Sequence, residues 1–218
     1  IYKMKFFLDN NFRKAAQTIG SIGNTPEEKL QIKKFIEETF EKTSNGTQLK
    51  PPVADNPDLD TLGYAAEVMK YFKPKLTVVN LSSVDSCHGN FTSYLKSLHR
   101  ADHGVGWLWD YIQNQIPEMS GNTIMLAMPE CGRNLNPNPI KDENDWLGYD
   151  HSDANARRIF GMMVGANVDR NLVIGSETNP IGHSADMVPT IADILGVKET
   201  VMGTGLLDSR ARSLFDRI

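Results

Sequence analysis

Three short stretches of this chain concentrate acids and histidines: Asp85-Ser86-Cys87-His88-Gly89, Glu130-Cys131-Gly132-Arg133 and Tyr149-Asp150-His151-Ser152-Asp153. Carboxylates and imidazoles are the side chains that divalent cations take as ligands, so the three stretches together point to a metal site. Asp85 and His88 read as half of it. Two of the stretches follow strand-like apolar runs, residues 76–81 and 123–128, and the third precedes another, 159–164. In an open α/β sheet, ligands bind beyond the carboxyl ends of the strands, so chemistry is expected at these positions.

The elements that must position these residues can be read around them. Thr25-Pro26-Glu27-Glu28 is a helix start, with Thr25 as N-cap, Pro26 at the first helical position and Glu28 closing a capping box. The helix should run to about Lys42, with Leu30, Ile32, Phe35, Ile36 and Phe40 as its apolar positions and a stop at Asn45-Gly46. Residues 1–24 precede it and end in a loop signature. A proline-rich linker over 50–57 leads to a second helix, about Leu59 to Tyr71, which Pro74 separates from the first strand-like run. Residues 1–74 thus form a helical cladding segment without a catalytic constellation, and 75–218 an α/β portion.

A long helix is expected from Phe91 to Ile116. Asp102 and His103 inside it look like a metal-binding pair, but adjacent helical side chains point about 100° apart, which favours a solvated face. Residues 134–148, rich in Asn, Pro and acids, form a long surface loop that leads into Asp150-His151. The run around 159–164 resembles a strand with close backbone contacts at Gly161 and Gly165, and Leu172 to Ile174 a short one. A last helix, Met187 to Leu195, should end at Gly196, with His183 as a turn or cap residue ahead of it. The tail from Leu206 should be helical or frayed. The fold class expected is α/β, a mostly parallel central sheet with helices on both faces.

Bulk properties narrow the functions. The 218 residues, 40% hydrophobic and 23% charged, suit a soluble globular chain able to bury a large core. A net charge of −4 with scattered Lys and Arg gives no basic footprint for nucleic acid. No apolar run reaches the roughly 18 residues of a membrane span. The start, Ile1-Tyr2-Lys3-Met4, has neither an initiator Met nor a signal peptide's apolar core, as expected of a part of a longer protein. Cys87 and Cys131 each lie within two residues of a candidate site acid. They could pair, bind metal together, or serve as small buried hydrophobes.

The order strand, Asp85-Ser86-Cys87-His88-Gly89-Asn90, long helix, strand, Glu130-Cys131-Gly132-Arg133, loop, Asp150-His151, strand, then Val188-Pro189-Thr190-Ile191-Ala192-Asp193-Ile194-Leu195-Gly196, resembles the C-terminal half of the alkaline phosphatase and sulfatase superfamily. It looks closest to the branch known as domain of unknown function 1501. There an Asp-Thr-His triplet follows one strand, Glu-Phe-Gly-Arg the next, and an Asp-His pair a loop. The resemblance covers roughly residues 76–197. Here the Asp-to-His spacing is one residue longer, and cysteines stand at the Thr and Phe positions. The superfamily's first site strand and its Ser or Thr nucleophile would lie N-terminal to these motifs, and residues 1–75 show no counterpart, so the fold is expected to be incomplete at its N-terminus.

The resemblance implies a metal-dependent hydrolase of phosphate or sulfate esters. Asp85, His88 and His151 would be direct ligands, with Glu130 and Asp150 on a second metal or supporting the first. Arg133 and Asn90 would contact the ester's oxyanion. The ligand set suits zinc best, with manganese or calcium next. The implied partner is a small anionic ester, or the missing N-terminal part of the same protein, and the implied compartment is periplasmic or extracellular. Each residue also has a bland role: Asp85 and His88 as caps of the long helix, Glu130 and Arg133 as a structural ion pair, Asp150-His151 as polar loop residues. The alternative function is a catalytically degenerate binding or scaffold module that recognises a protein partner within a larger assembly.

Overall fold

The computed structural model describes residues 25–54 and 56–218, so the loop signature of residues 1–24 lies outside the described residues. The chain divides into two compact units, one running to Asn122 and taking in Ile140–Gly148, the other comprising Thr123–Pro139 and Tyr149–Ile218.

The first unit is built from three helices: α1 (Pro26–Ser44), α2 (Pro57–Phe72) and α3 (Phe91–Gln115). Each starts where local chemistry dictates. The Thr25 hydroxyl accepts the Glu28 N–H at 3.2 Å while the Glu28 carboxylate accepts the Thr25 N–H at 2.8 Å, so the expected capping box forms. Asn56 caps α2 through the Asp58 N–H at 2.8 Å, and Asn90 caps α3 through the Ser93 N–H at 2.6 Å. Lys73, in the left-handed region at φ 47°, closes α2 ahead of Pro74.

The apolar face of α1 puts Ile32, Phe35 and Ile36 into a core with Val68 of α2, each burial worth roughly 1.5–3 kcal/mol. Leu30 and Phe40, also expected on that face, stay exposed at 68% and 43%, because Phe40 lies at the edge of the buried stripe and Leu30 on the opposite side of the helix. α2 and α3 cross at Gly104, where a Cβ would come within 2.5 Å of Leu62 and 2.9 Å of Leu59. The buried stripe of α3, Ser97, Gly104, Leu108 and Ile112, points away from Asp102 and His103, which are exposed as a solvated face requires.

The second unit holds two strands, β1 (Ile124–Ala127) and β2 (Met162–Gly165), and two short helices, α4 (Met187–Ile194) and α5 (Lys198–Met202). Ile124 pairs with Gly165 and Ala127 with Met162. Gly165, at φ 134°, brings its backbone against the Thr123 carbonyl too closely for any side chain. Gly196, at φ 67°, follows α4 as expected. The tail carries a single 3-10 turn, Leu214–Asp216.

The expected mostly parallel sheet with helices on both faces is not what forms. Among the described residues the sheet has two strands, and they run antiparallel. The run 76–81 has the alternation and β-branching of a strand but no ladder partner, and it forms no strand, with Leu76 and Val78 exposed at 51% and 80%. Leu172, Val173 and Ile174 are likewise exposed and outside any strand. Period-two patterning reports a local willingness to extend, whereas a strand exists only where a second one supplies hydrogen bonds.

Candidate metal-binding clusters

Asp85 and His88 lie on one 3-10 turn, Ser83–His88, between the run 76–81 and α3. Side chains three residues apart on such a turn stack over one another. The Asp85 Oδ1 and His88 Nε2 atoms are 3.2 Å apart, with Asp85 exposed and His88 half-buried. Two ligands of one tetrahedral zinc, with bonds of about 2.0–2.1 Å, sit about 3.3 Å from each other. The pair therefore fits two positions of a single divalent ion. Neither residue caps α3, because Asn90 does.

Two neighbours that sequence reasoning missed hold this turn. Asp58, buried in the first turn of α2, accepts the Ser82 N–H at 3.0 Å on Oδ1 and the Ser83 N–H at 3.1 Å on Oδ2. It thus clamps the turn's leading end from 25 residues upstream. At the trailing end, the loop Ile140–Gly148 packs on the turn and on the start of α3. Gly148 lies so close that a Cβ would meet the carbonyls of His88 at 2.6 Å and Cys87 at 2.8 Å.

Asp142 anchors that loop. Its carboxylate accepts the Thr92 N–H at 2.7 Å, the Asn144 N–H at 2.8 Å and the Trp146 N–H at 3.0 Å. Partial burial pushes its pKa up, but the N–H donors of Thr92, Asn144 and Trp146 and the Thr92 hydroxyl outweigh this, and the value falls to about 2. Trp146 stacks on Phe91 at 5.7 Å between ring centroids. The Asn90 side chain is committed on both sides: its oxygen caps α3 and its amide donates to Glu143 Oε2 at 2.7 Å.

Within the second unit, the two remaining clusters are knitted side by side. The Asn134 N–H donates to the Asp150 carbonyl at 2.8 Å, and the Asn134 Oδ1 accepts the N–H groups of Ser152 at 2.6 Å and Asp153 at 2.8 Å. Asp153 reciprocates by accepting the Leu135 N–H at 2.9 Å. Gly132 closes against the turn that follows: its N–H donates to the Ala156 carbonyl at 2.7 Å, and a Cβ would meet the Arg158 carbonyl at the same distance. The stretch ending in Arg133 is thereby bound to the stretch carrying Asp150-His151. Arg133 and Asp150 are half-buried, Glu130 and His151 exposed. Asn134 and Asp153 do this joining; Asp153 stands in the sequence as a member of the third acid-and-histidine stretch, and Asn134 only as part of a polar loop.

The remaining sequence candidates have structural roles. His183 is exposed, and its backbone N–H donates to Asp186 Oδ2 at 2.8 Å, as a turn residue would. Cys87 is fully buried and Cys131 half-buried, both as thiols. Set against family models, curated proteins and solved structures, the chain matches none.

Proposed function

We propose that this protein binds a divalent metal, zinc in the first place, and works as part of a metal-dependent hydrolase of phosphate or sulfate esters. The observation that carries the proposal is the 3.2 Å separation of Asp85 Oδ1 and His88 Nε2 on a turn clamped at both ends. Preorganised donors of this kind bind without the cost of ordering a flexible loop. His151 is assigned as a further ligand on the order of the motifs. A carboxylate oxygen from Asp85 and imidazole nitrogens from His88 and, by motif order alone, His151 make a donor set that suits zinc, with manganese or calcium next.

When bound, the metal would supply Lewis-acid polarisation of an ester oxygen and lower the pKa of a bound hydroxyl or water. The chain's own residues would do the rest. Arg133, beside the Asp150-His151 stretch, would hold an anionic ester by paired N–H donation, a geometry that suits a tetrahedral oxyanion. Glu130 and Asp150 would support the ligands or hold a second ion. Asn90 is better understood as the residue that fixes the start of α3, since its amide is already engaged.

That engagement favours a second reading, a degenerate binding or scaffold module that retains the metal cluster without turnover. One experiment separates the possibilities. The purified chain is loaded with zinc or manganese, analysed for bound metal, and assayed against aryl phosphate and sulfate esters, alongside His88→Ala. Metal uptake that His88→Ala abolishes supports the site, and turnover lost with it supports the hydrolase. Uptake without turnover in either protein supports the scaffold. If the chain carries no metal and none can be loaded, both readings fail.

A further inference from the structure

The first unit also contains an open cleft that none of the candidate metal ligands lines. It has a volume of about 580 Å³, within the roughly 300–1,000 Å³ of small-molecule sites. Its walls come from the C-terminal turns of α1, α2 and α3 and from the connector that follows α1. The connector is pressed so tightly onto α2 that a Cβ at Gly63 would overlap the Leu49 carbonyl, which fixes the cleft's rim. Gln48 is held there too, its amide donating to Asp60 and its oxygen accepting the Tyr64 hydroxyl.

The cleft inverts the chain's overall charge. Lys42, Lys50 and Lys70 line it against one carboxylate, Glu67, whereas the whole chain carries a net charge of −4. Glu67 holds Lys42 at 3.0 Å. Lys70 stands over the ring of Tyr111, 5.9 Å from its centroid. Tyr71 forms the other aromatic surface, 44% exposed yet braced by ring contacts to Phe35 at 5.3 Å and Phe72 at 4.6 Å. Clustered ammonium groups raise the local concentration of anions, and an exposed rigid ring adds a flat apolar contact.

We propose that this cleft binds a small organic anion, a phosphate or sulfate monoester on a flat ring, with Lys42 and Lys70 at the anionic group and Tyr71 and Tyr111 against the ring. The site is independent of the metal reading. Its test is a calorimetric titration of the whole chain with phenyl phosphate at low salt, in the presence of a chelator so that metal binding contributes nothing. Inorganic phosphate serves as the second probe.

Saturable binding of phenyl phosphate is expected, tighter than that of inorganic phosphate. Losing one charge-assisted contact in Lys70→Gln should weaken it about tenfold, while Lys70→Arg should retain it. Lys42→Gln provides a second charge deletion, and Tyr111→Leu should erase the advantage of phenyl phosphate over inorganic phosphate. The proposal is overturned if phenyl phosphate does not saturate, if inorganic phosphate binds as tightly, or if both lysine deletions leave the affinity unchanged.

Discussion

Asp186 is the most completely buried charge among the described residues, and it does structural work. Its carboxylate accepts the backbone N–H groups of His183 and Arg212, each at 2.8 Å, and the Arg217 guanidinium at 2.9 and 3.0 Å. Burial pushes its pKa up, but donation from the Arg212 N–H, the Arg217 guanidinium and the His183 N–H prevails, and the pKa lies below the ordinary carboxylate value. A depressed carboxylate stabilises the fold fully above its unfolded pKa of about 3.9, and that contribution is lost as pH falls through the lower folded value. Asp186→Asn strands Arg217 and should cost about 2–4 kcal/mol near neutrality in a denaturant melt. The variant should also show a shallower loss of stability below roughly pH 4; an acid limb identical to that of the unaltered chain would count against this role.

At the same scale the candidate site was half legible. Asp85 and His88 could be picked out because ligand types at turn spacing are a local pattern. Asp58 could not, because it looks like an ordinary acid in a helix's first turn, and only the fold brings Ser82 and Ser83 to it.

Among the elements, the loop Ile140–Gly148 has the most direct hold on the candidate site. Gly148 meets backbone carbonyls, which cannot swing aside as a side chain can. Gly148→Ala should therefore lift the loop from the turn, costing about 1–3 kcal/mol in denaturant and weakening zinc affinity in the same protein. Unchanged zinc affinity would show that the turn holds its shape without the loop. Asp142 gives a separate handle, since its pKa of about 2 keeps the loop pinned at neutrality and releases it as pH falls through that value. Trp146 fluorescence should then report detachment from Phe91 in strong acid, and Asp142→Ala should show the detached signal already near neutrality. A wild-type signal from that variant would contradict the anchoring.

Helices were far more legible than the rest at this scale. The capping box at Thr25 and the Gly196 stop are written within a few residues, whereas the caps Asn56, inside the proline-rich linker, and Asn90, which the resemblance assigns to the ester's oxyanion, emerge only in the structure. The short helix α5 after Gly196 lacked any such signal, with no side-chain cap at its start. The pairing of the strands is hidden for the opposite reason. TIMLAM and the run near Met162 do become strands, but their direction is decided by a pairing 39 residues apart, between Met125 and Val164. No local pattern carries that information.

For the molecule as a whole, each unit carries part of the chemistry read from the sequence: Asp85-His88 in one, Glu130-Arg133 with Asp150-His151 in the other. Among the described residues no helix is long and apolar enough to cross a membrane. The sharpest measurement is a zinc titration of three proteins, the unaltered chain, His88→Ala and His151→Ala, with bound metal quantified after exhaustive dialysis. The unaltered chain should retain about one zinc, and each substitution should remove it, since loss of one ligand from a three-residue set typically sacrifices most of the affinity. If His151→Ala retains the metal while His88→Ala loses it, the ion belongs to the Asp85 turn alone. If no zinc is retained by the unaltered chain, the metal proposal is contradicted.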